Sequence, residues 1–202
     1  MVDRRVLIAT IAACMIMVAS IIGFAAFGGE ASSLRGSAPR GPFTWLAQTS
    51  LPSGWTRLDG VPRLGSLPVP PGFRAVAGDR GSLTAALFGP GGAYLGYLTA
   101  TPIEGGELLQ GWPEFRLKHL RDDDARQVHV DAAAQAVRTR TALRSCVIDD
   151  YVTRVGQHRF HEVACLVMYH SVGRVIVAAS PSGDPAHVFD TLERAVATYP
   201  LA

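Results

Sequence analysis

Apolar and polar positions fall into distinct regimes along the chain. Residues 6–27 read VLIATIAACMIMVASIIGFAAF without a single charge. Wound as a helix at about 1.5 Å per residue, the run is roughly 33 Å long, enough to cross a bilayer. Residues 28–42 are small, polar and proline-containing, cannot bury enough apolar surface to fold, and read as a tether. Up to residue 67, apolar residues such as Trp45, Trp55 and Leu58 are scattered among Pro and Gly without a period. This is an irregular lead-in whose tryptophans pack on the folded domain.

From Pro68 the pattern becomes that of strands, rich in alternating and β-branched residues. Strands are predicted over 72–77, 83–88, 93–100, 128–140, 142–153, 159–170 and 173–179, with Gly89-Pro90-Gly91-Gly92 turning between the second and third. Both parities are apolar over 163–168, which calls for cover on both faces of the sheet. Leu108, Leu109, Trp112, Phe115 and Leu120 recur at steps of three and four and predict a helix over 107–122, kinked or split at Gly111 and Pro113. A last helix comes at the carboxyl end, with Asp184 as N-cap, Pro185 in the first turn, one stripe of Val188, Phe189, Leu192, Val196 and Tyr199, and Pro200 as its stop. The fold class expected is α+β, an antiparallel sheet covered by helices on both faces, preceded by one transmembrane helix. The expected divisions are a cytoplasmic stub over 1–5, the transmembrane signal anchor over 6–27, linker and lead-in over 28–67, and an extracytoplasmic domain over 68–202.

Arg4 and Arg5 precede the apolar run and hold that end in the cytoplasm, which exports the carboxyl-terminal bulk. A cleaved signal peptide has an apolar stretch of only about 7 to 15 residues, so a retained anchor is expected. Cleavage near Gly29-Glu30-Ala31 is the alternative. Ile11-Ala12-Ala13-Cys14 also has the form of a lipobox, but the apolar run continues past Cys14, where a lipoprotein turns polar.

Composition narrows the function classes. With 19 Lys and Arg against 17 Asp and Glu, the net charge of +2 is far below what phosphate neutralisation requires, and nucleic acid is excluded as a partner. No phosphate-binding loop, serine-hydrolase elbow, zinc-protease helix or dinucleotide fingerprint occurs, and no motif implies a cofactor. The reading is therefore of a protein without catalysis.

Three cysteines, Cys14, Cys146 and Cys165, give no CxxC pair. A hairpin turning between Val155 and Gly156 leaves Cys146 and Cys165 equally far from its centre and directly opposed, at a spacing a disulfide bridges. Export to an oxidising compartment favours that bond. His158, His161 and His170 share this hairpin, but His161 has opposite parity to the other two and points away from them, so no metal site is expected. Asp149 and Asp150 are neighbours on one strand and face opposite sides, which excludes a simple carboxylate pair; the buried one needs a partner such as Arg144 or Arg154. His129 and Asp131 share a face, and Ser171 or Ser180 would complete a hydrolase arrangement, the alternative to a binding role. The run Asp122-Asp123-Asp124 lacks EF-hand spacing and reads as solvated loop.

The order of elements, the strand Gly173-Arg174-Val175-Ile176-Val177-Ala178-Ala179-Ser180-Pro181 before the final helix, and the entry Pro70-Pro71-Gly72-Phe73 together resemble the Mog1/PsbP-like sandwich over 68–202. The resemblance is to an actinobacterial-type exported membrane protein. It implies an αβα sandwich acting as an accessory or binding module, with no shared catalytic motif and hence no site residues to carry over. The partners expected are the lipid bilayer, through the N-terminal helix, and a membrane or envelope protein or a small ligand. An exposed apolar patch around Trp45, Trp55 or Trp112 would mark the partner surface.

Overall fold

In the computed structural model, residues 41–47, 50–61, 64–123, 125–140, 142–183 and 187–200 are described. Among these residues nine strands and two α-helices follow one another as β1 (Thr56–Leu58), β2 (Leu67–Val69), β3 (Arg74–Val76), β4 (Leu83–Phe88), β5 (Tyr94–Pro102), α1 (Trp112–Asp122), β6 (Arg126–Arg138), β7 (Leu143–Val152), β8 (Arg159–Tyr169), β9 (Val172–Pro181) and α2 (Val188–Ala197). Strands β1 and β2 form a small ribbon, and the other seven form one antiparallel sheet ordered β3-β4-β5-β9-β8-β7-β6. Two meanders, β3 to β5 and β6 to β9, meet where β5 pairs with β9. The chain must cross from the middle of the sheet to its far edge between them, and α1 lies in that crossover.

Side chains alternate across a strand, so each strand of the central hairpin feeds two cores. On one face Cys146, Ile148, Val163, Cys165, Ile176 and Ala178 pack with Leu98 beneath α2, which inserts Val188, Leu192, Ala195 and Val196. Phe43 and Leu46, from a 3-10 turn over Gly41–Ala47, join this core together with Leu64 and Leu67. Gly96 in β5 lies under α2; a Cβ there would stand 3.1 Å from Val188 and 3.2 Å from the Ala179 carbonyl oxygen, so its bare backbone is what lets the helix seat closely. On the opposite face Trp112 of α1 is buried over Val147, Ala164, Leu166 and Val177, with its indole N–H donating to the Ala164 carbonyl at 3.1 Å. The chain is α+β, with a helix on each face.

Several expectations change in detail. Helix α1 begins at Trp112 with Pro113 in its first turn and Gly111 as a left-handed N-cap; proline there starts a helix, since its missing N–H would be unpaired anyway. Leu108 stays exposed ahead of it. Asp122 ends α1 and Asp123 caps it; the unfavourable macrodipole is offset by Lys118 on Asp122 and by His119 at 3.0 Å from Asp123. Helix α2 starts at Val188 behind His187, later than an Asp184 cap would set it, and Asp184 and Pro185 lie outside the described residues. So do Cys14 and the apolar run 6–27; among the described residues no helix is long and apolar enough to cross a membrane. The tryptophans form no exposed patch: Trp112 is fully buried, and Trp45 and Trp55 are partly buried against the core.

Candidate functional site

Helix α1 packs against β6 and β7 and leaves part of its sheet face open over β5 and β9. The resulting cleft has a volume of about 480 Å³; Tyr97, Thr99, Thr101, Val175 and Val177 line its strand side, and Trp112, Phe115 and Arg116 its helix side. A smaller space of about 370 Å³ lies beyond Arg116, against Tyr151 and Arg154.

The cleft ends on a buried polar cluster that strand register builds. Tyr97 faces Ala179, Ala179 faces Glu162 and Glu162 faces Asp149, so one row of the sheet carries all four. Ala179 is small enough for Tyr97 to reach across it, bringing the phenol within 3.5 Å of Glu162 Oε2. From α1, Arg116 donates to Glu162 Oε1 through Nε at 2.8 Å and through Nη2 at 2.7 Å. Asp149 is fully buried, and neither carboxylate oxygen accepts a hydrogen bond.

Burial and then the Glu162 charge push the Asp149 carboxyl up to about 8, so at neutral pH it is held protonated. Burial pulls the Arg116 guanidinium down, but the charge of Glu162 outweighs this and its pKa is raised. Burial first, then Glu162, raises Tyr97 and Tyr151. An aromatic wall continues the cluster, with Phe88 6.0 Å from Tyr94, Tyr94 6.0 Å from Phe160, and Phe160 stacked 5.8 Å from Tyr151.

The mouth of the cleft is acidic. Asp79, Glu104, Glu107 and Asp123 line it, and Glu107 fixes its own loop by accepting the backbone N–H groups of Glu104 at 3.0 Å and Gly105 at 2.7 Å. The one buried cation of the wall, Arg116, is already neutralised by Glu162. The arrangement is a pocket of ligand size whose mouth sets four carboxylates against a single histidine, His119, 3.0 Å from Asp123.

The residues singled out from the sequence take up different positions in the structure. Cys146 and Cys165 are register partners and form a disulfide with Cα atoms 4.1 Å apart. Asp149 and Asp150 do face opposite sides, and the buried one, Asp149, lies near Arg116 rather than Arg144 or Arg154. Arg144 is buried on the other face, where it donates to the carbonyls of Val196 at 2.6 Å and Tyr199 at 3.3 Å and satisfies the end of α2. Burial lowers its pKa to about 10, so it remains charged at neutral pH. His158 and His170 are exposed in the two hairpin turns, apart from His161. Ser171 sits in the β8–β9 turn, whereas Ser180 is the register partner of His161; the Ser180 hydroxyl is buried without a hydrogen-bond partner, so no serine is activated by an imidazole there.

Arg116, Glu162 and Tyr97 carry the cluster and were not candidates in the sequence. The signal for Glu162 was present: the turn that opposes the cysteines equally opposes Asp149 with Glu162 and Asp150 with His161.

No family model matches the chain, and no curated protein matches it. Among solved structures, the chain is similar to PA94 of Pseudomonas aeruginosa, a protein of unknown function, at 11% identity and a TM-score of 0.45, over 71% of this chain and 94% of that one. It is also similar to a Bacteroides thetaiotaomicron protein at 13% identity and a TM-score of 0.40, over 66% of this chain and 43% of that one.

Proposed function

We propose that this chain is a membrane-anchored extracytoplasmic binding module of the Mog1/PsbP-like kind, which uses the cleft beside α1 to hold a small cationic ligand and performs no chemistry on it. The observation that carries the reading is the charge balance of the cleft, with four carboxylates against one histidine, His119 beside Asp123, at the mouth and the inner cation Arg116 spent on Glu162. A positively charged ligand gains from that mouth, while an anion is repelled. The Thr99 hydroxyl is bonded to Thr84 at 2.8 Å and has no base beside it among the described residues, so the cleft offers hydrogen bonds and shape rather than a nucleophile. The apolar run over 6–27 and the buried disulfide support the placement outside the reducing interior.

Calorimetric titration of the purified full chain with spermidine and with arginine amide, against N-acetylglutamate as an anionic control, tests the reading. The amines are expected to bind saturably and the anion not. The triple substitution Asp79→Asn, Glu104→Gln, Asp123→Asn is expected to weaken amine binding at least about tenfold, since each lost near-surface charge contributes roughly 0.5 to 1 kcal/mol. Amine binding that the triple variant leaves intact, or preference for the anion, would overturn it.

A further inference from the structure

On the sheet face opposite the cleft, three strands bring metal-ligating groups to one point. Asp150 of β7 and His161 of β8 are register partners, with His161 Nδ1 3.2 Å from Asp150 Oδ1. The third group is Asp131 of β6. His129 pairs with Asp150 and Ala132 with Ile148, and the register shifts between Val130 and Ala132, so Asp131 is the extra residue of a β-bulge. Bulges re-aim side chains, and this one sets Asp131 Oδ2 3.5 Å from the same His161 Nδ1.

We infer that Asp131, Asp150 and His161 form a divalent-metal site suited to zinc. An imidazole Nδ1 has either one proton or one lone pair to offer, yet two carboxylates from different strands converge on it. A hydrogen bond satisfies one of them; a divalent cation bound among the three satisfies all. The ligand atoms lie within 4.8 Å of one another, and for zinc bonds of about 2.0 to 2.1 Å the edge of a tetrahedron is about 3.4 Å, matching the 3.2 and 3.5 Å separations. One nitrogen with two oxygens favours zinc over calcium or magnesium, which take all-oxygen shells of six or more ligands.

The surroundings supply the supporting contacts such a site needs. Ser182 donates to Asp150 Oδ1 at 2.9 Å, His129 Nε2 stands 3.5 Å from the other oxygen of Asp131, and the Phe189 ring lies 4.1 Å from the His161 ring. A space of about 210 Å³ lies beside two of the three ligands, Asp150 and His161, bounded also by Ser182 and Phe189.

Titration calorimetry of the full chain in detergent, stripped with a chelator and dialysed, tests the assignment with zinc chloride, and with magnesium and calcium chlorides as controls. One zinc per chain is expected at micromolar affinity or tighter, with no saturable binding of magnesium or calcium. Asp150→Asn and His161→Gln are each expected to weaken zinc binding at least about tenfold, whereas His119→Gln on the other face leaves it unchanged. Thermal melting separates site loss from misfolding: without zinc both site variants melt near the wild type, and with zinc only the wild type and the His119 variant gain stability. Absence of saturable zinc binding up to millimolar concentration, equal affinity in the wild type and the His161 variant, or an equal loss in the His119 variant overturns the site.

Discussion

Asp149 shows how one residue sets the behaviour of its surroundings. Its carboxyl is buried beside Glu162, without a hydrogen bond to either oxygen, and is pushed up from 3.8 to about 8. In the unfolded chain the same carboxyl ionises near its ordinary value. Between about 4 and 8 the native state therefore binds more protons than the unfolded one, so the stability this protonated form confers is complete at acid pH and is lost as pH rises through about 8. Asp149→Asn keeps the shape and removes the titration. By thermal melting it is expected to exceed the wild type by on the order of 10 °C near pH 8 and by much less near pH 4; parallel melting curves at all pH values would contradict this. The residue was legible only in part. Alternation along β7 placed Asp149 and Asp150 on opposite faces, but the partner came from α1, and no local pattern links Arg116 to a strand so distant in sequence. Arg144, nearer along the chain, has the wrong parity for Asp149 and serves α2 instead.

At the scale of elements, the hairpin β7–β8 carries most of the design. Its single register places the cysteines and the Asp150–His161 pair on the α2 face and the Asp149–Glu162 pair on the α1 face. The disulfide joins two fully buried residues 19 apart in sequence. The loop-entropy estimate for a closure of that size is about 3 kcal/mol, so reduction under native conditions is expected to lower Tm by about 6 to 12 °C; an unchanged Tm would remove the bond from the account of stability. Strands were the most legible elements because period-two alternation and β-branched runs mark them directly, and Leu83–Phe88 has the bounds its pattern predicts. Helix starts were less legible. Pro113 reads as a break when the apolar period is extended back to Leu108, and as a first-turn residue once Gly111 takes the left-handed cap.

At the scale of the whole molecule, the long crossover from β5 to β6 lays α1 over only part of its sheet face, and that incomplete cover opens the cleft. Two-sided burial of the sheet was visible in the continuous apolar runs. The cleft was not, because its mouth draws Asp79, Glu104, Glu107 and Asp123 from segments that meet only through topology. The lead-in reaches the same core through Phe43, Leu46, Leu64 and Leu67, and the buried Tyr199 hydroxyl donates to the Leu64 carbonyl, which ties the start of the described chain to the end of the final helix. The proposed placement, a ligand-binding domain outside the cell with a tether in the bilayer, makes one direct demand. A reporter that is active only in an oxidising compartment, fused to the carboxyl end of the full chain, is expected to be active and to remain with the membrane fraction. A reporter active only on the cytoplasmic side would contradict the account.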